Sequence, residues 1–465
     1  MIGHPPTESP IMPPDDERNS LTGRVLRHAR IGVDVGTAAA RIAGARLVGG
    51  GDPSREGRLI ADALGGLKGP LMKVAQFLST IPDAIPAEWA AELQRLQAHA
   101  PPMGWAFVKR RMSAELGPDW TNRFASFEHE PAHAASLGQV HRAVAPDGRR
   151  LAVKLQYPDM ASAVEADLTQ LSAVFALMRR LRPQIDTTEI AQEIGERIRE
   201  ELDYARERKH MRLYGAIHVA DDGVRIPEPV EELSTGRLLA MTWLDGRPLL
   251  AFKDHPQEVR NRIAAAMFRA WWHPFCRFGV IHGDPHLGNY AVFEEEGEVG
   301  GINLLDFGCV RIFPARFVEA VIEHYRGLLT EDRDRVVAAY EAWGFRNLTN
   351  ELIDTLDIWA RFVYGPLLTD RTRRIAEGVS PIEFGRTQAM AVSEALRTHG
   401  PVTPPREFLF MDRAALGLGG VFLHLDAELN FHRLFETAIE GFERDLLHER
   451  QSAALRTCEL LPSEQ

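Results

Sequence analysis

The sequence predicts an α+β fold of two lobes, with a helical extension ahead of the first lobe and a mainly helical second lobe. Three observations predict it. Short β-patterned runs cluster between Phe124 and Leu244. Apolar residues at helical spacing fill the chain before and after that cluster. Between the strand-rich and helix-rich parts lies Ile281-His282-Gly283-Asp284-Pro285-His286-Leu287-Gly288-Asn289, followed by Leu304-Leu305-Asp306-Phe307-Gly308.

A hairpin pattern joins those two motifs. Ala291-Val292-Phe293 reads as a strand, Glu294 to Glu298 as its turn, and Gly301 to Leu305 as the return strand. This is the layout of a kinase catalytic loop leading to a metal-binding Asp-Phe-Gly. Asp284 would orient or deprotonate an attacking hydroxyl or water. Asn289 and Asp306 would hold Mg2+ against the phosphates of ATP or ADP. Phosphoryl transfer is mostly positioning and charge neutralisation, so these residue types in this order point to that chemistry.

The bulk properties agree. A chain of 465 residues has room for a kinase fold with additions. The formal net charge of −11 argues against a general nucleic-acid binder. Cys276, Cys309 and Cys458 show no paired spacing, so neither a disulfide framework nor a zinc site is expected, and a reducing compartment fits. The first 20 residues lack the apolar core of a signal peptide, and no run reaches about 18 uninterrupted apolar residues. The expectation is a cytoplasmic protein with peripheral membrane contact at most.

In order, residues 1–23 read as a disordered tail. Residues 24–120 read as a helical extension, 121–244 as the first lobe and 245–465 as the second. Gly32 to Thr37 has the look of a sugar-kinase phosphate loop, but its surroundings are helical and the reading is set aside. Gly69-Pro70 separates two helical runs, the second carrying Lys73-Val74-Ala75-Gln76. Lys73 and Gln76 share one helical face. Ala87 to Gln97 and Trp105 to Leu116 are further helices.

Phe127 to Pro131, Gly138 to Val144 and Leu151 to Gln156 read as three strands, with Asp147-Gly148 as a hairpin turn. Lys154 lies on the third strand, where a kinase lysine pairs with phosphates. The loop before Gly138 contains Ala134, Ala135 and Ser136 in place of glycines, so a nucleotide must be gripped differently from an ordinary kinase. Ala161 to Arg180 and Thr187 to Met211 read as two helices, the second supplying glutamates that can face Lys154. Arg225 to Pro227 and Leu238 to Leu244 read as the last first-lobe strands, and backbone from Met241 through Thr242 and Trp243 to Leu244 would meet the adenine. Glu258 to Phe278 is a helix. After Val310 the chain reads as helical to its end, with breaks at Pro366, Pro381 and Gly400 to Pro405, and with apolar-faced helices at Phe408 to Leu425 and Leu429 to Glu449.

Four features together resemble the UbiB (AarF) family of atypical, protein-kinase-like proteins: Lys73-Val74-Ala75-Gln76, the alanine-rich loop, Glu201-Leu202-Asp203, and the His-Gly-Asp-Pro-His-x-Gly-Asn loop. The resemblance implies Mg-nucleotide binding with ATPase-type or unorthodox kinase activity. It implies a link to isoprenoid quinone or lipid metabolism, with an isoprenoid or lipid ligand and a quinone-biosynthesis complex as partners. It implies that Lys73 and Gln76 fold over the active site, with Lys73 reaching Glu201 and Asp203. Glu207 then becomes the ion-pair partner of Lys154.

Two departures stand out. The family's KxGQ glycine is Ala75 here, and the two terminal membrane spans of many bacterial members are not apparent. His286 also stands where protein kinases carry a lysine, which weakens neutralisation of a γ-phosphate. The rival readings are a small-molecule kinase of the aminoglycoside or choline type and a non-catalytic nucleotide-binding scaffold. The helices before the first lobe and the alanine-rich loop disfavour the first. Intact Lys154, Asp284, Asn289 and Asp306 disfavour the second.

Overall fold

The computed structural model describes residues 103–134, 137–158, 160–181, 188–218, 223–346, 348–375 and 406–461. The chain divides into two compact units. One contributes Pro158–Gly195 to the described residues, and the other holds the described residues up to Tyr157 and from Glu196 onward. The expected Lys73 and Gln76 face, the helix at Ala87 to Gln97, and the Ala135-Ser136 part of the alanine-rich loop lie outside the described residues.

Helix α1, Trp105–Leu116, opens the described chain. Strands β1 (Ser126–Phe127), β2 (His133–Ala134), β3 (Gly138–Val144) and β4 (Arg150–Gln156) follow. Helices α2 (Met160–Leu181), α3 (Thr188–Glu201) and α4 (Tyr204–Ile217) come next, then β5 (Val224–Arg225), β6 (Leu238–Thr242) and β7 (Arg247–Pro248). The first sheet runs β1-β3-β4-β6, with β2 also on β3, and every pairing is antiparallel. Alternation places Leu151, Val153 and Leu155 on one face, and Val108, Met112 and Trp120 pack on them. Lys154 therefore points to the opposite face.

The second half begins with α5, Gln257–Phe278, whose Trp271 and Phe275 are fully buried. Strands β8 (Val280–His282), β9 (Tyr290–Glu295), β10 (Glu298–Leu304) and β11 (Val310–Ile312) follow. Helices α6 (Ala315–Thr330), α7 (Arg333–Trp343), α8 (Asn350–Tyr364), α9 (Arg406–His424), α10 (Phe431–Ile439) and α11 (Arg444–Thr457) complete the described chain. Mixed helices and sheets make this the α+β, kinase-like fold that the sequence predicts.

Five local expectations need correction. The helix expected over Thr187 to Met211 is two, because Asp203 leaves helical geometry and its carboxylate accepts the Arg206 N–H at 3.0 Å, capping α4. The strand at Arg225 joins the other sheet, pairing in parallel with β10 rather than extending the first lobe. The strand expected over Phe127 to Pro131 stops at Phe127, and the chain pairs again only at His133. The chain after Val310 starts as a strand, since β11 pairs antiparallel with β8 and ties the Asp-Phe-Gly segment to the catalytic loop. The helix over Leu429 to Glu449 is broken at Gly441, which takes φ +63. The central hairpin is present, with Glu296 and Gly297 both at positive φ in its turn.

Candidate active site

The ammonium of Lys154 on β4 lies 2.7 and 2.9 Å from the two carboxylate oxygens of Glu207 on α4, and 3.1 Å from Asp306 Oδ2. Glu207 is buried, and burial pushes its carboxyl up to about 7 against the opposing pull of Lys154. Burial also works against the Lys154 charge, but Asp306 and Glu207 outweigh it and hold the ammonium well above the usual lysine range. Glu207 falls in the first turn of α4, where Asp203 fixes the start of the helix. The Asp203 cap thus sets which side chain meets the lysine.

The catalytic loop leaves β8 at His282, which is fully buried. Its Nδ1 accepts the Asp284 N–H at 3.3 Å, so the proton sits on Nε2, which donates to the Asp306 carbonyl at 2.6 Å. One imidazole therefore fixes the spacing of Asp284 and Asp306. Asn289 Nδ2 donates to both the carbonyl and the carboxylate of Asp284 at 3.0 Å, which turns Asn289 Oδ1 the other way. Asp306 Oδ1 accepts the Gly308 N–H at 2.9 Å. Tyr290 donates to the Pro285 carbonyl at 3.0 Å and closes the loop from below.

Asn289 and Asp306 offer hard oxygen donors of the kind magnesium takes together with phosphate. Among the described residues no group of three or more His, Cys, Asp or Glu is placed to hold a metal ion. Two protein oxygens leave the rest of such a cation's shell to phosphate and water, so the donor set fits one.

Glu201 sits beside the Asp-Phe-Gly turn: a Cβ added to Gly308 would lie 3.8 Å from Glu201 Cγ. Its neighbour Glu200 holds that corner by accepting from Arg197 at 2.6 Å, Arg206 at 2.6 Å and Arg311 at 2.7 Å. Asp203 caps α4 and is exposed. Ala134 is exposed on β2, opposite Gln139. Met241 is buried in β6, while the Thr242 and Trp243 N–H groups bond the Glu228 and Arg150 carbonyls at 2.9 and 2.8 Å. Leu244 N–H has no partner among the described residues. Asn303 Nδ2 holds the next carbonyl, that of Asp245, at 2.8 Å.

Residues 95–340 match the ABC1 atypical kinase-like domain. The chain belongs to the UbiB family. The relatives include the atypical kinase COQ8B, mitochondrial, of Rattus norvegicus, 30% identical over 69% of this chain and 63% of that protein. The atypical kinase COQ8, mitochondrial, of Saccharomyces cerevisiae is 28% identical over 69% of this chain and 65% of its own length. The chain thus spans somewhat under two thirds of these relatives. The solved structure of Rv3197 from Mycobacterium tuberculosis, in complex with erythromycin, is 27% identical, covers 82% of this chain and 94% of its own, and superposes with a TM-score of 0.59.

Within this UbiB chain, sequence reading passed over residues that act by positioning. His282 is inside the motif, yet its linking of the two aspartates shows only once β8 and β11 pair. Arg311 and Glu200 lie 111 residues apart, and nothing local signals their contact. Gly417 of α9 packs on the catalytic loop, where an added Cβ would fall 2.3 Å from Pro285 Cγ.

Proposed function

We propose that this UbiB protein binds Mg-nucleotide at Lys154, Asn289 and Asp306 and runs ATPase-type or unorthodox kinase chemistry. The observation that supports this best is the closure of Lys154, Glu207 and Asp306 beside the Asp284–Asn289 pair. Lys154 would exchange part of its contact with Asp306 for the α- and β-phosphates, with Glu207 keeping its direction. Asn289 Oδ1 and Asp306 would hold Mg2+, which supplies charge neutralisation on the phosphates. Asp284, held by Asn289, would orient the attacking hydroxyl or water. Leu244 N–H would meet the adenine.

We assign the role further to isoprenoid quinone or lipid metabolism, in line with the COQ8 relatives. Lys73 and Gln76 would then close over Glu201 and Asp203 and bar peptide substrates from phosphorylation in trans. The assigned domains follow: a tail over 1–23, the lid-bearing extension over 24–120, and lobes at 121–244 and 245–465. We place the protein in the cytoplasm with peripheral membrane contact. Cys276, Cys309 and Cys458 are buried, and no helix among the described residues is long and apolar enough to cross a membrane.

Single-turnover hydrolysis of ATP tests the reading. Asp284→Asn is expected to slow it by about 10²-fold or more with nucleotide affinity retained. Equal rates in the variant and the parent would refute the assignment of Asp284.

A further inference from the structure

A cavity of about 240 Å³ lies among α5, α6, α7, α8 and α9 in the C-terminal half. Its walls are apolar, with Phe268, Trp272, Val363, Leu416 and Phe422 among them. Among the described residues one ionisable nitrogen base lines it, His324 of α6. His324 is 1% exposed, and neither ring nitrogen has a hydrogen-bond partner among the described residues. The rings of Tyr340, Trp343 and Tyr364 surround it at 4.7, 4.9 and 5.3 Å. The two tyrosine hydroxyls are engaged elsewhere, with Asp357 at 3.1 Å and with the Val321 carbonyl at 3.4 Å.

A buried polar group with both hydrogen-bonding atoms unmet costs free energy that a partner would recover. Burial also pushes the His324 pKa down to about 3, so the ring is neutral, with one N–H donor and one bare nitrogen. Facing this space, α9 carries Gly419 and Gly420, where an added Cβ would meet nothing within 4 Å. Glycine is a poorer helix former than alanine, and here the two keep a volume open that alanine would begin to fill.

We propose that this cavity binds a neutral, apolar molecule of about ten carbons carrying one hydroxyl or carbonyl oxygen, seated on His324. The apolar walls exclude charged ligands. The size follows because a cavity of about 150 Å³ already takes benzene, and this one is larger. One oxygen can meet His324, whose ring nitrogens have no hydrogen-bond partner among the described residues, while the tyrosine hydroxyls beside it are already bonded. The site is separate from the nucleotide cleft and does not depend on the nucleotide assignment. It shares α9 with the Gly417–Pro285 contact, so its occupant rests on the helix that backs the catalytic loop.

The test is a titration of the full chain with menthol, with p-menthane as the oxygen-free twin. Fluorescence of Trp272, Trp343 and Trp359, which line the cavity, reports binding. Saturable binding of menthol about fivefold tighter than p-menthane is expected. His324→Phe should remove that difference. Gly420→Leu should weaken menthol at least tenfold while the melting transition stays cooperative, and Gly419→Val serves if Gly420→Leu does not fold. Absence of saturable menthol binding, as for a cavity holding only water, would overturn the proposal. So would unchanged menthol affinity in a folded cavity-filling variant.

Discussion

Glu207 carries a pH dependence of two opposite signs. Its carboxyl titrates near 7 in the folded protein and near the ordinary glutamate value when unfolded. Between those values the folded state binds more protons at this site, so the Glu207 contribution to stability is present at low pH and is lost as pH rises through about 7. Its ion pair with Lys154 needs the charged form and strengthens over the same range. Nucleotide affinity should therefore rise between pH 6 and 8 while the melting temperature falls. Titrations of the parent and Glu207→Gln check this, since both trends should flatten in the variant. Parallel trends in the two proteins would exclude Glu207 as their source. Of these residues, Lys154, Asp284, Asn289 and Asp306 were legible in the sequence because each sits in a local motif of fixed spacing. The choice of Glu207 needed the family resemblance, since a run such as Glu200-Glu201 to Glu207 offers several acids and only the Asp203 cap selects the register.

At the scale of elements, the contact of α9 with the catalytic loop is the most exposed to a single change. Gly417→Ala would drive a methyl into Pro285 Cγ at 2.3 Å, and either the helix or the loop must shift. Single-turnover hydrolysis should fall roughly tenfold to a hundredfold, since small displacements of a reacting group are costly. Nucleotide affinity should stay within about twofold, because Lys154 and Asp306 are not touched. A variant with the parent's rate would show that the helix merely covers the loop. Gly138 is a similar case on β3, where an added Cβ would lie 2.3 Å from the Leu155 carbonyl and 2.9 Å from the Tyr204 hydroxyl. It is the glycine that remains beside the alanine-rich loop, and Gly138→Ala is expected to lower the melting temperature by several degrees. Helices and the central hairpin were legible from periodicity and turn residues. The pairing of β5 with β10 and of β11 with β8 was not, because two- and three-residue strands carry no period and their partners are distant in sequence.

For the whole molecule, the kinase-like fold and the UbiB motif set go with the proposed lid, which would keep phosphate from passing to proteins. Lys73→His should alter ATP turnover or self-phosphorylation while the melting profile stays intact, and peptide phosphorylation by the parent should be absent. A parent protein that phosphorylates generic peptides at rates comparable with its ATP turnover would contradict the lid. The fold class was legible because motif order survives where local boundaries do not. The apolar cavity was not, since its lining comes from α5 to α9 and no local pattern marks it.

The most direct measurement of the central claim is the magnesium dependence of thermal stabilisation by ADP and ATP, in the parent and in Asp306→Asn. Nucleotide at about a hundred times its Kd stabilises the folded state by about 2.7 kcal/mol, which corresponds to a rise of a few degrees in Tm. The account predicts that rise in the parent with magnesium, and its near disappearance in Asp306→Asn or on chelation. An equal rise in both proteins, independent of magnesium, would contradict it.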